Sequence, residues 1–308
     1  MRFFCHLTFI ASVVCLGAVS GFCEQTPERR VLVIGIDGCR RDALQAAKTP
    51  ALDSLVADGA MSESTQILGK RYRFNNTVSG PGWSSFLTGV WADKHGVHDN
   101  SFKGKNYVDF PHFFARIKQR FPAARTVSLV DWEPIDTHIV SHADVHKVYP
   151  AEGADGYTEQ DAVIARDAAE ILASDDPHAM MVYFGAVDET GHRDGFHPSV
   201  ASYLSAIETV DSNVQKVLAA LRSRPNYKSE HWLVLVSTDH GGRGTSHGGG
   251  HDLPEINTTF LIVSGSDAAK GPIESPTELV DLPMTALVHL GVTIDPNWKL
   301  DGKPVGLR

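Results

Sequence analysis

Five short apolar runs decide what this chain of 308 residues can fold into. Residues 31–36, 126–130, 180–187, 232–237 and 259–263 are almost continuously hydrophobic. A strand with one wet face alternates apolar and polar side chains, so continuous runs of this length point to strands covered on both faces. Between them the period changes. Residues 158–173 open with a Thr-x-x-Asp cap, and Val200, Tyr203, Ile207, Val210, Val214, Val217 and Leu221 recur every three or four positions, as the buried stripe of a helix does. Residues 281–290, closed by Gly291, read as one more helix. Strands alternating with helices predict an α/β fold with a mostly parallel central sheet and helices on both faces. No repeat, charge block or low-complexity linker divides the chain, so a single domain is expected.

That domain is expected to begin after a leader. Arg2 gives a positive start, residues 3–22 are mostly apolar and uncharged, and Ala18-Val19-Ser20 offers a small-x-small cleavage site. Residues 1–23 therefore read as a signal peptide and 24–308 as the exported domain, secreted or periplasmic, with no stable membrane insertion after cleavage. A membrane anchor is the other reading of the same stretch. Cys5 and Cys15 leave with the leader, so Cys23 and Cys39 allow one disulfide at most. The net charge of −9 withholds the basic field that a nucleic-acid duplex requires of its partner.

The residues just beyond the apolar runs point to chemistry. Asp37 comes directly after the first, Asp188 and then His192 after the third, and Asp239-His240 after the fourth. In open α/β sheets ligands bind beyond the carboxyl ends of the strands, where distant residues converge. Singly, each Asp reads as a turn or helix cap and each His as a satisfied core or surface residue. Together they form a set of carboxylates that repel one another and are costly to desolvate unless cations neutralise them. Mixed Asp oxygen and His nitrogen ligands suit zinc, and more than four such ligands call for two divalent ions.

A nucleophile is expected in the segment 76–89. Pro81 suits the first turn of a helix and Gly89 its end, which places Ser79 at the helix N-terminus, where unpaired N–H groups attract anions. Thr77, Ser84 and Ser85 are rival hydroxyls, the last two inside the helix. Asn75 and Asn257 each begin a glycosylation sequon.

The order Ile36-Asp-Gly-x-Arg-x-Asp42, Thr49-Pro-x-Leu-Asp53, Ser79-x-Pro through Thr88-Gly89, His95-Gly96, Asp188-x-x-Gly-His192, Asp239-His-Gly241 and His247-Gly248 resembles the alkaline phosphatase superfamily. Its nucleotide pyrophosphatase/phosphodiesterase branch is the most similar. The resemblance implies a three-layer sandwich, and a metal-dependent hydrolase that cleaves small phosphodiesters or nucleotide pyrophosphates through a covalent phosphoseryl intermediate. It also implies that Asp37, Ser79, Asp239 and His240 hold one zinc and that Asp188, His192 and His247 hold the other, with His251 as the alternative to His247. Asn100 matches an Asn that steadies transition-state charge. Ser79 replaces the Thr usual in this branch, which keeps a phosphomonoesterase open. A sulfatase would want an Arg that Ser79-Gly-Pro-Gly-Trp83 lacks, a transferase would share the nucleophile, and a non-catalytic metal-binding protein is the reading from a different class. Gly80 brings no added cation beside the nucleophile, which favours a diester, and Trp83 and Tyr72 are candidate stacking surfaces for its second ester group. The loops around residues 70–73, 132–135 and 193–196 are expected to select the substrate. The oligomeric state is not legible.

Overall fold

The computed structural model of the protein describes Met1 and residues 29–308, so the rest of the expected leader and Cys5, Cys15 and Cys23 lie outside the described residues. Eight strands, β1 (Arg29–Ile36), β2 (Gly59–Gln66), β3 (Thr126–Val130), β4 (Val145–Val148), β5 (Ala179–Phe184), β6 (His231–Ser237), β7 (Thr258–Gly265) and β8 (Gly271–Pro272), form one sheet in the order β4-β3-β5-β1-β6-β7-β2-β8. Among the described residues β7 alone runs against its neighbours. The other pairings are parallel. The helices are α1 (Arg41–Ala46), α2 (Pro50–Asp58), α3 (Ser79–Thr88), α4 (Ala92–His95), α5 (Phe113–Arg120), α6 (Gly153–Ser174), α7 (Ala186–Asp194), α8 (Ala201–Arg222), α9 (Pro254–Asn257) and α10 (Asp281–His289).

The apolar runs are continuous because both faces of the sheet are covered. Leu32, Ile34 and Ile36 of β1 pack with Ile164 and Ala168 of α6 and with Val210, Val214 and Val217 of α8. The intervening Val31 and Val33 pack on the opposite side with Phe86 of α3, Phe113 and Ile117 of α5 and Leu287 of α10. Each such side chain, removed from water, contributes about 1.5–3 kcal/mol. The result is the three-layer α/β sandwich expected.

Four local expectations change or gain detail. The 180–187 run is strand only to Phe184; α7 starts at Ala186, so Asp188 sits in a helix's first turn rather than on the strand's tail. Helix α6 begins at Gly153, five residues before Thr158, whose hydroxyl donates to the Ala154 carbonyl (2.8 Å) from inside the helix instead of capping it. Strands β2, β4 and β8 carry no continuous apolar run, since β4 and β8 are the edges and β2 has both exposed and buried positions. Gly291 does close α10, at φ +74°.

Candidate active site

Strands β5, β1 and β6 lie side by side and parallel at the centre of the sheet, so their carboxyl ends bring Asp188, Asp37 and Asp239 to one place. All three are buried. Asp37 Oδ2 accepts hydrogen bonds from Trp83 Nε1 (2.8 Å) and the Tyr183 hydroxyl (2.5 Å). Asp239 Oδ1 accepts from the Gly38 N–H (3.4 Å). The other oxygens, Asp37 Oδ1 and Asp239 Oδ2, are buried without a hydrogen-bond donor, as is Asp188 Oδ1. Close approach depends on glycine: at Gly38, φ +64°, a Cβ would lie 2.4 Å from Asp188 Oδ1.

Three histidines complete the cluster, and each is oriented in the same way. Nδ1 of His192, His240 and His247 meets the carbonyl of Thr245 (2.9 Å), Gly241 (2.8 Å) and Thr77 (2.9 Å) respectively. A ring that donates through Nδ1 to a carbonyl leaves Nε2 as a lone pair, the tautomer a metal ligand needs. His240 Nε2 lies 3.3 Å from Asp239 Oδ2 and 3.5 Å from Asp37 Oδ1. His192 Nε2 is 3.3 Å from Asp188 Oδ2 and 3.0 Å from His247 Nε2. Ligand atoms of Asp188, His192 and His247 fall within 4.8 Å of one another, and so do those of Asp37, Asp188 and His240. Asp188 thus belongs to both groups. His251 belongs to neither; its Nε2 meets the Asn75 carbonyl at 2.8 Å.

The electrostatics are those of a site short of positive charge. Burial and the neighbouring Asp37 raise the Asp188 carboxyl to about 7, and the same two causes push Asp239 well above the usual carboxylate range. The bond to Asp188 raises His192 to about 9, whereas burial lowers His240 and His247 to about 3. Buried carboxylate oxygens without donors, beside Nε2 of His240 and His247 kept unprotonated by burial and Nε2 of His192, whose proton a cation would replace, are the donor set a divalent ion fits.

Ser79 is the first residue of α3, with Oγ 3.3 Å from His240 Nε2. The preceding Val78 offers no capping side chain, and the Gly80 N–H donates to Asn100 Oδ1 (2.7 Å), leaving the Asn100 amide NH2 for a ligand. The rival hydroxyls are engaged in structure. Thr77 Oγ1 donates to the His247 carbonyl (2.6 Å) and accepts from the Gly250 N–H (2.8 Å), Ser84 donates to the Gly80 carbonyl (2.5 Å), and Ser85 pairs with His95 (3.1 Å). Trp83 is fully buried against Tyr183 and holds Asp37, so it presents no stacking face to a substrate. Tyr72 meets His98 Nδ1 through its hydroxyl (3.2 Å). Among the described residues Cys39 is a free, buried thiol whose pKa burial pushes far up. The sequon residues Asn75 and Asn257 are both buried.

Several contributors carry no motif of their own. Asp161 accepts from the N–H groups of Gly185 (3.1 Å) and Ala186 (3.3 Å) and so fixes the start of the helix that carries Asp188 and His192. Arg40 ties the Asp37 loop to the Phe196 and Gly242 carbonyls at 2.7 and 3.0 Å. A cavity of about 130 Å³ beside Ser79 is lined also by Asn100, Trp132, Tyr157 and Glu189. Glu189 is hidden in the sequence between two expected ligands, and Tyr157 reads there as an ordinary residue near a helix start.

A family model described as type I phosphodiesterase / nucleotide pyrophosphatase matches residues 31–261, from β1 into β7, a span that contains every residue of the site. The chain belongs to this family. Among curated proteins, the catalytic subunit of human GPI ethanolamine phosphate transferase 2 is 26% identical over 141 residues, 45% of this chain. GPI ethanolamine phosphate transferase 2 of Aspergillus fumigatus is 28% identical over 123 residues, 40% of the chain. The alignments span only 14% and 16% of those relatives' lengths. Among solved structures, a 2-O GAG sulfatase superposes with a TM-score of 0.71 at 15% identity, covering 91% of this chain and 73% of that one. Murine ectonucleotide pyrophosphatase/phosphodiesterase 5 in complex with AMP gives 0.63 at 15% identity, covering 87% and 96%. At these identities the superpositions establish the alkaline-phosphatase-like fold.

Proposed function

We propose that the protein is a metal-dependent phosphodiesterase that works through a phosphoseryl intermediate on Ser79. The carrying observation is the convergence of three carboxylate oxygens without donors and the Nε2 atoms of three histidines, each ring held through Nδ1 by a carbonyl, beside the serine that opens α3. Asp37, Ser79, Asp239 and His240 would hold one divalent ion, and Asp188, His192 and His247 a second; zinc suits this mixed oxygen and nitrogen set. When bound, the ions supply Lewis acidity and a lowered pKa for a coordinated hydroxyl or water.

The chain's own groups do the rest. Ser79 Oγ, having lost its proton to solvent, forms the new bond to phosphorus while the bond to the first ester oxygen breaks and that group leaves as an alcohol, taking a proton from solvent. The Asn100 NH2 donates to the non-bridging oxygens as their charge grows, held in place by the Gly80 N–H that its Oδ1 accepts. Water then adds to phosphorus, the Ser79–phosphorus bond breaks, and the serine takes back a proton. Trp83 and Tyr183 keep Asp37 oriented throughout. Gly80 adds no cation for the dianion of a monoester, which supports a diester.

The two curated relatives favour a second reading in which an alcohol instead of water takes the phosphoryl group; the first step on Ser79 is common to both. The test is a substrate panel run with and without chelator. Bis-p-nitrophenyl phosphate should be cleaved with higher kcat/KM than p-nitrophenyl phosphate, p-nitrophenyl sulfate should be slowest, and chelation should abolish all three activities. Turnover untouched by chelator sinks the metal dependence, and a preference for the monoester sinks the diester assignment. Product phosphoryl groups appearing on an added alcohol more often than its concentration explains would favour transfer.

A further inference from the structure

The loop that carries His247 continues as Gly248-Gly249-Gly250, three residues with no side chain to hold them in place. Glycine has more backbone freedom to lose than any other residue, so the shape of this loop has to be imposed by its neighbours. Gly249 takes φ +69°, and Gly250 is pressed so close to Ile256 that a Cβ would lie 2.4 Å from that side chain. On the same side Asn257 Nδ2 donates to the carbonyls of Gly250 (3.3 Å) and His251 (2.6 Å).

The other side of the loop is held by the stretch just before the nucleophile. The Asn75 carbonyl meets His251 Nε2 (2.8 Å), and Asn76 Oδ1 accepts from the N–H groups of Gly249 (2.7 Å) and Thr77 (2.9 Å). Thr77 touches His247 itself. Its hydroxyl donates to the His247 carbonyl (2.6 Å) and accepts from the Gly250 N–H (2.8 Å), while its own carbonyl meets His247 Nδ1 (2.9 Å). Thr77 is buried, so water does not replace a partner lost there. Two residues further on stands Ser79, the first residue of α3. One short stretch of chain therefore fixes both the serine and the histidine whose Nε2 faces His192 Nε2 at 3.0 Å and Asp188 Oδ1 at 3.7 Å.

We infer that Thr77 is a positioning residue, which sets His247 for the second divalent ion and ties that ligand to the nucleophile. This rests on the metal-dependent reading above and deepens it. The hydroxyl is what the role requires: Val has the same shape and cannot make either hydroxyl bond, whereas Ser keeps both.

The experiment titrates metal-free protein with zinc against a chromophoric chelator, which reads the two zinc Kd values with no substrate present. Thr77→Val should weaken one of the two sites by about 10–100-fold, the scale on which a ligand's outer hydrogen bonds act, and leave the other near its wild-type Kd. Thr77→Ser should restore the weakened site to within a few-fold. In a His192→Ala background, which has already lost the second ion, Thr77→Val should not change the Kd of the ion that remains. Asn76→Ala, which removes the bond to Gly249 and leaves the buried hydroxyl in place, should weaken the same site by a smaller factor and carries the test if Thr77→Val fails to fold. Two wild-type Kd values in the variants, an equal loss at both sites, or a further loss in the His192→Ala background overturns the positioning role and leaves the metal-dependent reading standing. A wild type that binds no zinc overturns that reading, and the role of Thr77 with it.

Discussion

The two halves of the proposed metal site are built differently. Around Asp37, Asp239 and His240 every side chain is at most 2% exposed, and Asp37 is held by two side-chain donors from β5 and α3. Around Asp188, His192 and His247 the cluster opens on the cavity, the His192 side chain is 40% exposed, and two Nε2 atoms face each other at 3.0 Å. The closed half is positioned by hydrogen bonds whether or not an ion is bound. The open half is electrostatically complete only with a cation, an ion or a proton on His192. A scaffold of this kind should fix the nucleophile's ion rigidly and exchange the other more readily.

The largest effects should come from the closed half. Ser79→Ala is expected to keep the fold and most of the metal while kcat falls by roughly 10⁴ or more, the scale on which residues of a catalytic unit fail. Asp239→Ala should be as inactive and should also lose metal, as read by elemental analysis of the purified protein; two full equivalents retained would refute its assignment as a ligand. In the open half, His192→Ala should lose its ion preferentially, retaining about one equivalent, with activity partly restored by excess zinc. Equal loss of both ions would erase the distinction between the halves.

Trp83→Phe probes the closed half more gently. It removes one donor to the Asp37 carboxylate, and a hydrogen bond to a charged group contributes about 1.5–3 kcal/mol. Metal affinity or activity should drop by about 10–100-fold, as when a ligand's outer hydrogen bond is lost. An unchanged zinc Kd would mean that Tyr183 alone orients Asp37.

The smallest effect is one of pH. His192, raised from 6.5 to about 9, keeps its proton in the folded metal-free protein where the unfolded chain has lost it. The stabilisation is complete below about pH 6.5 and disappears as pH rises through 9. Metal-free protein should therefore become less stable between pH 7 and 9, and the rise in Tm on adding zinc should be larger at pH 9 than at pH 7. Burial that lowers His240 and His247 acts only below their ordinary value and does not touch this window. A zinc-induced shift that shrinks toward pH 9 would contradict the proton's place on His192.

Much of this molecule is legible in its sequence. The five runs are strands because burial on both faces leaves continuous apolar sequence, and Pro81 and Gly89 mark α3 closely enough to set Ser79 at its start. Strand β4, reading Val-His-Lys-Val at the sheet's edge, has no such signature. Within the site, spacing suggests which residues converge but not how they are held. Trp83 reads as a stacking surface because an indole in a Gly-rich segment looks exposed, whereas packing against Gly35, where a Cβ would meet its ring at 2.4 Å, buries it. Thr77 reads as a rival nucleophile, and its two backbone partners, 170 and 173 residues distant, leave no trace in the sequence.

The central claim is that Ser79 attacks phosphorus and carries the phosphoryl group covalently, and stereochemistry at phosphorus tests it without requiring the intermediate to accumulate. A p-nitrophenyl phosphorothioate diester of defined configuration, hydrolysed by the zinc-loaded enzyme in isotopically labelled water, passes through two in-line displacements if Ser79 intervenes and one if water attacks directly. Net retention of configuration is the predicted result. Net inversion would contradict the account and reduce Ser79 to a residue that binds without reacting.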